Sequence, residues 1–370
     1  MKEKLSKQET MLPIPPAQSI IDALHSDKNS YSAIQIQHKV ENGIITWEDL
    51  SEVFDDRQIQ AIKDYCVIPE FPRNQPPMQL PSNCTEIYFW GPRCSGRTCA
   101  ISSVLSATKG DGIVAPQHNQ NNLSFFHYSN LFLGSENKPI IPLPLSSAEI
   151  PVMSCQFIEE KHKKHNACFI EVTSNVNAAI FKQQNGMALY EEERNQLDLI
   201  SSYLKNSHNN KIHIFALEYG AAHSKARELT EYFVYQSDIL VSIAQFLEQC
   251  DFEKSTVGVY GLVTKSDLID AKYDTPRSER PRLAHEYVTQ ELRAFWQIIN
   301  SACQRANIKD VKTISFSIGE IFAQTLCMYD RTDAQKVIKY IMSLLGKRGN
   351  ILIRLKEKLF SKKQPTDNYL

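Results

Sequence analysis

The chain has 370 residues, room for one large domain or two of ordinary size, and its 42% hydrophobic and 22% charged content is that of a globular protein in water. A net charge of −1 gives no reason to expect nucleic-acid binding by the whole molecule, and no apolar run approaches the ~20 residues of a membrane span. The nine cysteines are scattered without a C-x-x-C pair, and the basic amino terminus lacks the apolar stretch of a secretory signal; reduced thiols in a cytoplasmic protein are expected.

Residues 1–17 are polar with three prolines and read as a disordered tail. From 18 to 67, apolar residues recur every three or four positions in Ser19–His25, Tyr31–Glu41, Thr46–Phe54 and Arg57–Tyr65, which predicts a helical module. Thr46-x-x-Asp49 and Asp55 supply helix starts, and Ile44 and Ile45 are expected to seal a small core. A piece of this size has a marginal core, so it is expected to lean on another part of the chain. Residues 68–84 hold five prolines and read as an extended linker.

Glu86–Trp90 is an apolar strand running into Gly91, with a helix expected from Gly96 to about Ser106. Residues 110–147 show no clear period. Ile150–Glu159 and Ala167–Thr173 read as a β-hairpin across the polar turn EKHKKHN. Helical stretches are expected at 186–206, Lys225–Glu248, Leu283–Ala306 and Ala334–Leu345, and strands at Lys211–Glu218, Thr256–Val263 and Val311–Ser317. Strands and helices thus alternate over 85–345, with one antiparallel hairpin. That pattern predicts a doubly wound α/β domain with a mostly parallel six-stranded sheet, the strand ends sharing one edge. Residues 346–370 read as a basic helix and tail; seven Lys/Arg against one Glu in 346–363 give +6 locally and leave about −7 elsewhere. Packing of Ile351, Leu352, Leu355 and Leu359 on the domain is the plainer expectation for this stretch, and contact with an anionic membrane surface or acidic partner is the other.

Gly91-Pro-Arg93-Cys94-Ser95-Gly96-Arg97-Thr98 fits the phosphate-loop pattern G-x-x-x-x-G-[K/R]-[S/T] at the end of a strand and the start of a helix. Gly91 and Gly96 allow backbone shapes that a Cβ would forbid, and the following helix adds free N–H groups and partial positive charge. Thr98 would place a hydroxyl on magnesium. Arg97 stands where lysine is usual; it keeps the charge but is planar and bulkier. Thr264-Lys265-Ser266-Asp267, at the tip of a buried strand, has the form T-K-x-D. Asp267 would accept hydrogen bonds from N1 and the exocyclic amine of guanine, a donor pair that adenine lacks, and Lys265 would lie along the base. Ser317-Ile318-Gly319, after the last strand, is placed for a backbone amide to meet the guanine carbonyl.

By the phosphate loop, the antiparallel strand and the T-K-S-D motif, residues 85–345 resemble a TRAFAC-type P-loop GTPase, the class that includes Ras-like and translation-factor GTPases. Within it they are similar to large bacterial GTPase-like proteins of the double-GTPase type. The resemblance implies GTP or GDP, Mg2+ and two switch segments. It also implies a D-x-x-G motif after the third strand, and here Cys168-Phe-Ile-Glu171-Val-Thr173 offers only Glu171. Two roles stay open for Glu171: an outer-shell magnesium ligand, or an edge residue paired with a lysine of the neighbouring strand. The switch hydroxyl could come from Ser146, Ser147, Ser129, Ser135 or Thr108, and Gln183 and Gln184 fall in the second switch by position alone.

Three functions follow. The first is a cytoplasmic guanine-nucleotide-binding protein with slow or partner-dependent hydrolysis, meeting a protein partner through the helical module or switch regions. The second is a pseudo-GTPase scaffold, favoured by Arg97 and the missing D-x-x-G. The third is a P-loop ATPase or kinase in which T-K-S-D is accidental. His162-x-x-His165-x-x-Cys168 has metal-ligand types, but on a lysine-rich turn it reads as solvated.

Overall fold

Every position of β1 (Thr85–Trp90) is buried, as expected of a central strand covered on both faces. In the computed structural model, residues 16–66, 76–110, 113–116, 123–132, 150–158, 163–273 and 276–345 are described. Residues 1–15 of the expected tail, 68–75 of the expected linker and the basic carboxyl-terminal stretch lie outside them, while residues 16 and 17, expected in the tail, open a helix.

The described chain forms two units. The larger comprises described residues of 76–319 and 329–345. Its sheet has the order β2-β3-β4-β1-β5-β6-β7, with β2 (Val114–Pro116), β3 (Val152–Ile158), β4 (Lys164–Glu171), β5 (Asn210–Glu218), β6 (Thr256–Thr264) and β7 (Val311–Ser315). β3 runs antiparallel to both β2 and β4, while β4, β1, β5, β6 and β7 are mutually parallel. The expected six-stranded sheet therefore has seven strands. The added β2 is a three-residue edge piece, too short to leave a period in the sequence.

Tyr88 and Trp90 of β1 face a core with α7 (Ser174–Gln184), α8 (Glu191–Asn206), α9 (Gln236–Gln249), α12 (Arg280–Gln290) and α13 (Arg293–Arg305). α5 (Arg97–Gly110) packs on β1 and β4 and is covered by α6 (Leu123–Asn130) and α14 (Thr332–Leu344). Helices on both sides of a mostly parallel sheet make a doubly wound α/β architecture. The chain builds β2–β4 on one side of β1 and β5–β7 on the other. The crevice at the carboxyl end of β1 is where such sheets bind ligands.

Several helical expectations are corrected. Lys225–Glu248 is not one helix: 219–235 is irregular, tied by a Lys225–Tyr235 bridge, and α9 begins only at Gln236. The Tyr235 N–H bonds Asp238, which starts the helix there. Leu283–Ala306 divides at Glu291–Leu292 into α12 and α13. The short helices α10 (Phe252–Ser255) and α11 (Asp267–Tyr273) flank β6.

The smaller unit comprises the described residues of 16–66 together with Glu320–Met328. Its helices are α1 (Pro16–Ser26), α2 (Ala33–Glu41), α3 (Trp47–Leu50) and α4 (Asp56–Lys63). Reciprocal capping boxes start α2 at Ser32/Gln35, α3 at Thr46/Asp49 and α4 at Asp55/Gln58. Ile20, Leu24, Ile36, Leu50 and Ile62 form its core with Phe322, Ala323 and Leu326. Those three come from the hairpin of β8 (Gly319–Phe322) and β9 (Leu326–Tyr329). The expected boundary of 85–345 is thus corrected: residues 320–328 leave the α/β domain and complete the marginal helical core. Ile45 is buried there, but Ile44 is 39% exposed and seals nothing.

Candidate functional site

Gly91 follows β1 at φ +144°, and a Cβ there would lie 2.5 Å from the Ala216 carbonyl oxygen and 2.7 Å from Ser95 Oγ. Cys94 (φ +64°) and Gly96 (φ +85°) then turn left-handed before α5 begins at Arg97. Turns of this kind gather backbone N–H groups into an anion-binding concavity, and the start of a 14-residue helix adds more.

Thr98 Oγ1 donates a 2.7 Å hydrogen bond to Glu171 Oε1 at the end of β4, and the Tyr128 hydroxyl on α6 donates to Glu171 Oε2. Of the two roles open for Glu171, pairing with a lysine of the neighbouring strand is not the one its contacts show. Its side chain is buried and turned to the phosphate-loop threonine rather than to a neighbouring lysine. Among the described residues no cluster of three or more His, Cys, Asp or Glu could hold a metal alone. A magnesium at Thr98 and Glu171 would therefore take its other ligands from phosphate and water, the usual habit of that ion.

The two sequence motifs meet directly. Thr264 Oγ1 donates a 2.6 Å hydrogen bond to the Ser95 carbonyl, and a Cβ on Gly96 would come within 3.3 Å of Thr264 Cβ. Lys265 adopts φ +54° and places Nζ 2.5 Å from Glu218 Oε1. Asp267 opens α11, and its Oδ1 accepts a 2.8 Å hydrogen bond from Ser317 Oγ. Asp333 of α14 holds the Ser317 N–H at 3.0 Å, while the Ile318 carbonyl accepts from the Asp330 N–H at 2.8 Å.

Arg97 is 7% exposed, and burial lowers its guanidinium below the ordinary value against the pull of Glu171 and Glu228. Glu228 accepts a 3.1 Å hydrogen bond from the Arg93 N–H, and its carboxyl is raised by burial. Asn177 Nδ2 donates to the Gly91 carbonyl at 2.6 Å. Around this edge Ser95 Oγ, Arg97 Nη1, Thr173 Oγ1, Asn177 Oδ1, Glu228 Oε2 and Ser266 Oγ are buried without a hydrogen-bond partner. Each such group, left unpaired, costs roughly 1–3 kcal/mol.

Other candidates are not brought here. Thr108 bonds Val104 within α5, and Ser129 bonds the Phe126 carbonyl. Gln183 and Gln184 end α7, about 15 Å along the helix from its first turn, and Gln184 bonds Gln249. Ser135, Ser146, Ser147 and His162 lie outside the described residues, and Cys168 is buried with its Sγ 3.8 Å from Cys84 Sγ. Sequence reasoning missed Tyr128, Asn177, Glu218, Arg227 and Glu228, which carry no spacing signal. No model of a known protein family matches the chain, and no curated protein matches it significantly.

Proposed function

We propose that the larger unit binds a guanine nucleotide with magnesium, as a GTPase-like protein of Ras-like topology. The observation that carries this reading is the Thr264–Ser95 hydrogen bond, which fastens the T-K-S-D loop to the phosphate loop. It ties the loop carrying the carboxylate suited to guanine, after β6, to the cradle suited to phosphate, after β1, across the end of the intervening β5. Thr98 and Glu171 would hold magnesium, Arg97 and the loop amides the phosphates, and Asp267, Lys265 and the 317–318 turn the base. Magnesium would supply charge neutralisation on the phosphates.

Hydrolysis on this reading is slow or partner-dependent, because Glu171 replaces the D-x-x-G aspartate and Ser174 stands where its glycine is expected. The protein would work in the cytoplasm and meet a protein partner through the helical unit. No helix among the described residues is long and apolar enough to cross a membrane. A pseudo-GTPase scaffold is the second reading, and it draws on Arg97, whose guanidinium is buried beside the carboxylates of Glu171 and Glu228.

Titration of GTP and ATP into the full chain, with and without magnesium, tests the proposal. Saturable GTP binding strengthened by magnesium, with ATP at least about 100-fold weaker, is the expected result. Equal ATP binding favours a P-loop ATPase, and no binding at all favours the scaffold.

A further inference from the structure

The irregular segment 219–235, between β5 and α9, is built around two adjacent charged residues that no motif singles out. Ala226 and Leu229 are each 1% exposed and anchor it in the core, and the Ala226 N–H bonds the Val234 carbonyl at 2.7 Å. Arg227 and Glu228 lie between those anchors and reach the phosphate loop. Glu228 Oε1 takes the Arg93 N–H at 3.1 Å, and the Arg227 guanidinium lies 3.9 Å from Glu218 Oε2; against the opposing effect of burial, its proton affinity is raised by the nearby Cys94 and Glu218 side chains. The loop thus delivers a carboxylate and a cation to the two residues after Pro92, ahead of the α5 helix start.

We propose that Glu228 is the proton acceptor for a water attacking the terminal phosphate, and that Arg227 offsets the charge developing on the bridging oxygen. This rests on the nucleotide reading above. Of the carboxylates near the loop, Glu171 has both oxygens engaged, by Thr98 and Tyr128, and Glu218 faces the cations of Lys265 and Arg227. Glu228 has one oxygen fixed on Arg93 and the other buried with no hydrogen-bond partner. A carboxylate held at one oxygen and open at the other is preorganised to orient a water. Burial also raises its affinity for a proton, which suits a base.

The step balances. The water oxygen bonds to the terminal phosphorus, and the bond from that phosphorus to the bridging oxygen breaks. The electron pair stays on the nucleoside diphosphate beside Arg227. The water proton passes to Glu228 Oε2 and then to the released phosphate, which restores the carboxylate. The device occupies a different strand connection from the D-x-x-G segment that the sequence lacks.

The test compares wild type with Glu228→Gln, Glu228→Asp and Arg227→Ala, each checked by its melting temperature. GTP and GDP dissociation constants are measured together with single-turnover hydrolysis. Expected for Glu228→Gln are nucleotide affinities within about threefold of wild type and hydrolysis slowed about 100-fold. Glu228→Asp should recover part of the rate, and Arg227→Ala should lose about tenfold or more. As a readout apart from turnover, GDP with aluminium fluoride should raise the wild-type melting temperature above GDP alone, but not that of Glu228→Gln. Unchanged hydrolysis in Glu228→Gln overturns the proposal, as does tighter nucleotide binding without a rate loss. Wild type that binds GTP but never hydrolyses it overturns this proposal and leaves the nucleotide reading standing. Wild type that binds no nucleotide ends both.

Discussion

Ser317 Oγ lies 2.8 Å from Asp267 Oδ1 and donates a hydrogen bond to it, joining the loops after β6 and β7. The bond occupies one carboxylate oxygen and fixes the carboxylate's rotation. Ser317→Ala removes a charge-assisted bond of roughly 1.5–3 kcal/mol. GTP affinity is expected to fall about tenfold or more, with a smaller loss for the triphosphate moiety alone. Titration with GTP and with inorganic triphosphate separates the two; equal losses for both would contradict the role given to Ser317.

Thr98 and Glu171 form the second pair at the site, with Tyr128 on the far oxygen of the carboxylate. Glu171→Gln keeps the shape but removes the charge that would orient magnesium-bound water. It is expected to abolish most of the magnesium enhancement of GTP binding while leaving magnesium-free binding near wild type. An undiminished magnesium effect would place the ion elsewhere.

The helical unit depends on the hairpin that follows the 317–318 turn. Phe322 is fully buried in its core beside Phe54, with ring centroids 6.0 Å apart. Phe322→Ala should cost about 3–5 kcal/mol, the usual range for a buried aromatic truncated to alanine. Hydrogen exchange should quicken in α1–α4 while β1 and β5 keep their protection. Uniform loss of protection would show that the hairpin does not serve that core.

Acid should expose a third dependence. His213 on β5 is fully enclosed, accepts the Trp90 indole N–H at 3.0 Å, and is pushed down to about 3 by burial, with Lys211 adding to the effect. In the unfolded chain its pKa is near 6.5, so the unfolded state takes up the proton first. Its contribution to stability is complete above about 6.5 and declines as pH falls toward 3, by about 1.4 kcal/mol per pH unit. His213→Gln keeps an acceptor but cannot protonate. Its unfolding free energy should fall less steeply than wild type between pH 6.5 and 4 in urea titrations; parallel slopes would contradict the assignment.

The parts of the site legible in the sequence were those with fixed local geometry. Gly91 and Gly96 are required by close approaches to Ala216 and Thr264, and their spacing is a property of one loop. Thr264 to Asp267 sits at the tip of a buried run, and Ser317 follows the last strand of the sheet. The contributors that escaped are brought in by tertiary packing. Tyr128 comes from a helix in a stretch without period, and Asn177 from α7, which is buried nearly all round and so shows no amphipathic stripe. Arg227 and Glu228 were hidden because Lys225–Glu248 has helix-like spacing, although α9 takes only its second half. The β8–β9 hairpin was missed because its strands have four residues each and its partner core lies some 300 positions earlier.

The central claim is that Asp267 reads the base of a nucleotide whose phosphates lie on Gly91–Thr98. Xanthine keeps the N1 donor but presents a carbonyl where guanine has its amine, so an amide at 267 should suit it and a carboxylate should not. Titration of XTP and GTP into wild type and Asp267→Asn measures this directly. The account requires wild type to prefer GTP and Asp267→Asn to prefer XTP, each by about 100-fold or more; an unaltered preference in Asp267→Asn would contradict it.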